Sequence, residues 1–351
     1  MASEKLLCNK LTILTGLPRS GTTWTGKMIG SHPEVNYIFE PFSKKYHPQL
    51  PDSETCYNLA ANYIAGEQAL HNALYLNEAV FDEVSQFEEV FVRHLNALIK
   101  HYFSGSETKH LIIKTPKISK VQWFSKVFKP DYIIYIDRHL AAVVNSYIRV
   151  KRGISGWSEQ EFSMLSQSIS YTHPQFKDFV ELPKNRVERA TVVLALNRKI
   201  GLAYLTQKNN DFKFKLMEFE QTCQSIENTL KEVFDFLELD FNDEIMTQIN
   251  NAVSSNRNQV KHLQIHNKDS LKKAYAWIDQ MAPVDFSSFK RIHNALNLKL
   301  PLPGSELPKQ MLSDAIKTNF QVIPRMIEVV LEHFNHWRSK NNLTFSALKG
   351  K

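Results

Sequence analysis

The sequence predicts an α/β fold: a three-layer domain around a central parallel sheet of about five strands, with helical insertions. Three observations predict it. Short apolar runs recur along the chain, separated by helical stretches, as expected for a parallel sheet with crossover helices. Each run ends on a charged or loop-forming residue, at the boundary beyond which such sheets bind ligands. The first run leads directly into a glycine-rich loop.

In chain order, Leu11–Thr15 reads as a buried strand entering the loop at Gly16, and Thr22–Gly30 as the helix behind that loop. Val35–Phe39 ends at Glu40-Pro41, and Leu111–Ile113 at Lys114-Thr115-Pro116. Tyr132–Ile136 ends at Asp137-Arg138, and Phe212–Met217 at Glu218. A helical insertion is expected over about 55–103, where Val84, Phe87, Phe91, Leu95 and Leu98 recur at helical spacing. A second helical region, forming a substrate wall, is expected over about 155–210 and becomes regular from Val187 to Leu205. An amphipathic C-terminal helix is expected over about 322–337. All of these belong to a single domain spanning residues 1–351.

Composition narrows the function. Hydrophobic residues at 43% and charged residues at 23% fit a folded globular chain and exclude a disordered one. The net charge of +7 favours anionic partners such as nucleotides or sulfated and phosphorylated glycans. No run of five or more like charges forms a basic arm, so no nucleic-acid partner is expected. The three cysteines, Cys8, Cys56 and Cys223, are too few and too scattered for a disulfide framework or a zinc site. The 13 histidines show no metal-ligand spacing, and no metal is expected. The N-terminus has no signal-peptide apolar region, and no stretch approaches the roughly 18–20 apolar residues of a membrane span. A cytoplasmic location is expected.

The string Gly16-Leu17-Pro18-Arg19-Ser20-Gly21-Thr22-Thr23-Trp24 has the spacing of a phosphate-binding loop. Its glycines let backbone N–H groups turn inward around oxyanions, and the following helix adds its N-terminal amides and positive dipole end. Only 11 glycines occur in the chain, yet four of them (Gly16, Gly21, Gly26 and Gly30) fall between positions 16 and 30, which argues against a chance turn. A nucleoside triphosphatase needs Lys after the second glycine to reach the β- and γ-phosphates. Thr22 stands there instead, and Arg19 is the only strong cation of the loop. One Arg and several hydroxyls suit a donor with a single 5′-phosphate joined to sulfate. Its sulfuryl group carries one charge, so it needs magnesium less.

Pro18–Trp24 resembles the 5′-phosphosulfate loop of sulfotransferases that use 3′-phosphoadenylyl sulfate, in the form found in carbohydrate and tyrosylprotein members. Ser31–Phe42 (SHPEVNYIFEPF) is similar to the same members, and Tyr132–Ser146 (YIIYIDRHLAAVVNS) resembles their 3′-phosphate segment. Lys215–Leu239 resembles their strand-then-helix segment. The resemblance implies a P-loop-type domain and 3′-phosphoadenylyl sulfate as co-substrate, released as adenosine 3′,5′-bisphosphate. It departs from the family at one point. After the 3′-phosphate Arg the family commonly has Asp-Pro, whereas this chain has His139-Leu140, which changes the turn at the start of the next helix.

The resemblance also implies roles. Pro18, Arg19, Ser20, Gly21, Thr22, Thr23 and Trp24 would hold the 5′-phosphosulfate. Arg19 would also stabilise charge on the bridging oxygen as the S–O bond breaks. Arg138 and Ser146 would hold the 3′-phosphate, with Arg257 of a late loop reaching the same group. Glu40 would be the general base that takes the acceptor's proton. Cytosolic small-molecule members use a His in a Lys-Thr-His motif; Lys114-Thr115-Pro116 lacks it, which favours Glu40. Lys114, or Lys117 in its place, would contact the sulfuryl oxygens or Glu40. Trp277 reads as core rather than as a base-stacking platform.

Phe39-Glu40-Pro41 favours a glycan or glycolipid acceptor by resemblance, with other hydroxyls, peptidyl tyrosine and amines open. Two other readings compete. One is a P-loop kinase for a small molecule, in which the strand ending at Asp137 would hold magnesium. The other is an anion-binding scaffold without turnover. The sequence leaves the oligomeric state open.

Overall fold

The computed structural model describes residues 5–42, 47, 78–103, 108–115, 118, 121–150, 161–163, 165–166, 169, 173–255, 271–272 and 274–296. All lie in the unit Met1–Lys299. The expected C-terminal helix over 322–337, the first part of the expected insertion (55–77), Lys117 and Arg257 lie outside the described residues.

Five strands form one parallel sheet: β1 Cys8–Gly16, β2 Val35–Phe39, β3 Thr108–Thr115, β4 Tyr132–Asp137 and β5 Lys213–Glu218, in the spatial order β2-β3-β1-β4-β5. The expected fold class is correct. The strands read as continuous apolar runs because both faces are covered. Tyr132 to Asp137 are all buried, and Leu111 and Ile112 have no exposed surface.

The helices lie on both faces. α1 (Thr22–Ile29), α7 (Ile226–Phe236) and α8 (Asp243–Ser255) supply one apolar layer. There Met28, Ile29, Leu230, Val233, Phe234 and Ile249 pack on Leu14, Ile112, Ile134 and Ile136. Burying each such side chain contributes about 1.5–3 kcal/mol. Strand alternation turns Tyr135 to the opposite face, toward Arg198 of α5 (Arg186–Leu205). Helices α2 (Glu78–Phe103), α3 (Val121–Phe128) and α4 (Leu140–Val150) complete the described elements up to that point. Phe91, Leu95 and Leu98 are buried, as the spacing in α2 requires. The region expected over 155–210 contains a 3-10 helix, Pro174–Val180, followed by α5, which starts one residue before the expected Val187. Three short or late helices close the set: α6 Phe219–Gln224, α9 Trp277–Gln280 and α10 Pro283–Ala295.

The register decides where a site forms. Gly16 of β1 pairs with Ile136 of β4, Phe39 of β2 with Lys114 of β3, and Asp137 of β4 with Glu218 of β5. The carboxyl ends of all five strands therefore line up along one edge. The chain runs from β1 to β2, returns to insert β3 between them, then lays β4 on the other side of β1. Such a reversal of strand order opens a crevice at the carboxyl ends, the place where open parallel sheets take ligands.

Candidate active site

The loop between β1 and α1 is tightly turned. Ser20 N donates to Leu17 O at 3.1 Å, and both Arg19 (φ 74°) and Gly21 (φ 97°) are left-handed. A Cβ on Gly16 would approach Ser20 Oγ at 2.6 Å and Ile136 O at 2.7 Å, so only glycine fits there. Gly21 caps α1 without any side-chain hydrogen bond, leaving the first amides of the helix for a ligand. Ser20 is fully buried, and its Oγ has no partner among the described residues. Pro18 and Thr23 are half-buried beside it, and Thr22 is buried. An anion at this loop would supply the missing acceptors.

Arg19 joins the loop to the next strand end. Its Nε donates to Ser146 Oγ at 3.1 Å, and its carbonyl accepts from Arg138 Nη1 at 3.0 Å. Arg19, Arg138 and Ser146, up to 127 positions apart in sequence, thus form one cluster. The Arg138 guanidinium lies 4.7 Å from the Phe219 ring, and its buried Nε has no partner among the described residues. Burial lowers its pKa; Glu220 and Cys223 oppose the shift, and Arg19 adds to it. Two arginines joined in one cluster favour a polyanion beside them.

Glu40 and Lys114 occupy the other side of the crevice. Lys114 Nζ donates to Glu40 Oε1 at 2.5 Å, and Glu40 N donates to Lys114 O at 3.1 Å. Lys114 is buried, and its ammonium lies 4.5 Å from the Phe39 ring. Burial lowers its pKa, Glu40 works against that, and Arg19 adds to it, so the two halves of the crevice sense each other. Glu40 is itself left-handed (φ 44°). Non-glycine residues held this way are strained by about 1–3 kcal/mol and gather at functional sites. Arg19 and Glu40 are two of only four among the described residues, the others being Lys129 and Glu238.

Several neighbours carry no local sequence signal. His47 Nε2 donates to Phe39 O and His94 Nε2 to Pro41 O, each at 2.9 Å, bracketing the backbone on both sides of Glu40. Phe42 is fastened by stacking on Phe124 (5.6 Å) and Phe128 (5.5 Å). Phe219 meets Trp24 edge-on at 5.8 Å and underlies Arg138, and it packs so closely on Gly21 that a Cβ there would clash. No spacing rule points to these residues, because each contact closes only when distant elements pack. Trp277, expected in the core, is half-buried and stacks on His139 at 4.6 Å.

Asp137 is committed elsewhere. Arg198 Nε donates to its Oδ1 at 2.8 Å and Arg198 Nη2 to its Oδ2, and both side chains are 4% exposed. A buried bidentate pair of this kind already neutralises the carboxylate, and opening it would leave an uncompensated buried charge.

A family model described as the sulfotransferase family matches residues 12–243. That is most of the chain and contains the loop, Glu40, Lys114, Arg138 and Ser146. The chain belongs to the sulfotransferase family. No curated protein matches. Among solved structures, the chain is similar to the sulfotransferase STF9 of Mycobacterium avium: 15% identity, 78% of this chain and 77% of that one, TM-score 0.44. It is also similar to the sulfotransferase domain from the curacin biosynthetic pathway: 19% identity, 85% and 100%, TM-score 0.45. A third is sulfotransferase STF1 of Mycobacterium tuberculosis H37Rv: 11% identity, 76% of each chain, TM-score 0.38. No helix of the described residues is long and apolar enough to cross a membrane.

Proposed function

We propose that this sulfotransferase takes its sulfuryl group from 3′-phosphoadenylyl sulfate and passes it in line to a hydroxyl or amine of a carbohydrate or glycolipid acceptor. The observation that carries this reading is the junction of Arg19, Ser146 and Arg138. It joins a phosphate-type loop to a second guanidinium at the next strand end, as a nucleotide charged at both its 5′ and 3′ positions requires.

The amides of the loop and α1, the Ser20 and Thr22 hydroxyls and Arg19 would hold the 5′-phosphosulfate. Arg138 and Ser146 would hold the 3′-phosphate. Glu40 takes the acceptor proton as the oxygen attacks sulfur. Lys114 orients that carboxylate and stands ready for the sulfuryl oxygens. As the S–O bond breaks, the bond pair goes to the phosphate oxygen, and Arg19 offsets the growing charge there, an effect of about 3 kcal/mol. The products are the sulfated acceptor and adenosine 3′,5′-bisphosphate. The small-molecule kinase reading loses its magnesium ligand, because Arg198 engages both oxygens of Asp137.

Thermal unfolding with added nucleotides tests the donor. Adenosine 3′,5′-bisphosphate at about 100 times its Kd stabilises a specific binder by roughly 2.7 kcal/mol. ATP should stabilise far less. Equal stabilisation by both, or none by the bisphosphate, would overturn the assignment.

A further inference from the structure

The first internal bond of α4 runs from Val143 N to His139 O at 3.1 Å, which makes residue 139 the N-cap. Its side chain caps as well: Ala141 N donates to His139 Nδ1 at 3.2 Å. Ser, Thr, Asp and Asn are the usual N-caps, because each offers an oxygen to an amide that the helix leaves unpaired. Here an imidazole nitrogen does it. The ring accepts only when neutral, with its proton on Nε2.

The surroundings hold the ring in that state and place. Trp277 stacks on it at 4.6 Å and 18°. The His139 amide donates to Glu220 Oε1 at 3.2 Å, tying the cap to α6. The charged and titratable groups acting on the ring are His293 of α10, Arg138 next to it in the chain, and Arg198 of α5. Burial first, then these groups, push its pKa down to about 4. Arg138 immediately precedes the cap, and Ser146 lies on the helix that the cap begins. One capped turn therefore fixes the positions of both.

We propose that His139 is a positioning residue, whose imidazole caps α4 and thereby seats Arg138 and Ser146 to grip the 3′-phosphate of the nucleotide. This rests on the donor reading above. Without the imidazole cap the first turn of α4 frays although the His139 amide keeps its bond to Glu220, and Arg138 and Ser146 lose their set positions beside Arg19. The opposing explanation is that His139 serves only as a packing surface for Trp277.

Calorimetric titration with adenosine 3′,5′-bisphosphate and with adenosine 5′-monophosphate separates the two. The ratio of affinities reads the 3′-phosphate grip alone. His139→Leu keeps apolar bulk against Trp277 but removes the acceptor; His139→Asn restores a capping oxygen. The ratio should fall at least about fivefold in His139→Leu, the weight of one lost N-cap, and return to within about twofold of native in His139→Asn. A native ratio in His139→Leu overturns the proposal, and so does a folded His139→Asn that fails to recover. If His139→Leu does not fold, His139→Gln replaces it, since its longer amide caps poorly; a native ratio there is equally fatal. If the native protein shows no preference for the bisphosphate, the donor reading itself fails and takes the proposal with it.

Discussion

Lys114 Nζ donates to Glu40 Oε1 at 2.5 Å, joining the carboxyl ends of β3 and β2. The Glu40 amide returns a bond to Lys114 O, so the two residues are fixed through both side chain and backbone. The lysine side chain is 4% exposed and the glutamate side chain 22%, so the glutamate is the more open member of the pair. That asymmetry suits the general-base role proposed for Glu40.

Glu40→Gln keeps an acceptor for Lys114 and removes the proposed base. It should lower kcat about 10²–10⁴-fold and leave bisphosphate affinity within about threefold of native. Steady-state kinetics beside calorimetry reads both. Normal turnover in the folded variant would mean that another group takes the proton.

Arg19→Ala should act on both binding and rate. On the donor reading it removes the cation beside the bridging oxygen, and it frees Ser146 Oγ. Stabilisation by the bisphosphate should vanish, and kcat/KM should fall by at least about 10²-fold, a loss near 3 kcal/mol. A variant that still gains native thermal stabilisation from the bisphosphate would count against the loop as the 5′ site.

Arg138→Lys keeps the charge but loses the planar fork. It also gives up the bond to Arg19 O and the stacked position over Phe219. Its affinity for adenosine 3′,5′-bisphosphate should drop about tenfold or more, while affinity for the 5′-monophosphate changes little. Equal losses for both nucleotides would place Arg138 away from the 3′-phosphate.

The fold was legible because its signals are local. Each apolar run ends within two residues of a strand end, and a phosphate-type loop needs only nine residues to declare itself. Arg138 and Ser146 were singled out by resemblance alone; their meeting with Arg19 shows only in the fold. The bracketing of Glu40 by His47 and His94 was not legible. Nor were the Phe219 platform and the Arg198–Asp137 pair, because residues from distant elements meet only after packing. Asp137 shows the hazard best: its place at a strand end fits a magnesium ligand, and its commitment to a partner 61 residues on shows only in the fold.

Acid should weaken the fold through its histidines. Burial lowers the pKa values of His110 and His139 to about 4. Between the ordinary histidine value near 6.5 and about 4, the unfolded chain binds the extra protons, so stability falls as pH falls. Glu220 works the other way: burial raises it to about 7, and the folded state takes its proton first. Burial lowers His173 as well, so the three histidines outweigh Glu220 and leave a net loss of stability as pH falls between about 6.5 and 4.5. Glu220→Gln removes the opposing group and should steepen that slope. Denaturant titrations across this range check both statements; a flat profile in the native protein contradicts them.

Transfer of sulfur-labelled sulfate from 3′-phosphoadenylyl sulfate is the most direct test. The native protein and Glu40→Gln would be compared with and without EDTA, over glycans, glycolipids, tyrosyl peptides, phenols and amines. The account predicts labelled product from the native protein, undiminished by EDTA, with a glycan or glycolipid as the best acceptor and almost none from Glu40→Gln. Full activity in Glu40→Gln, or no transfer by the native protein to any acceptor, would contradict it.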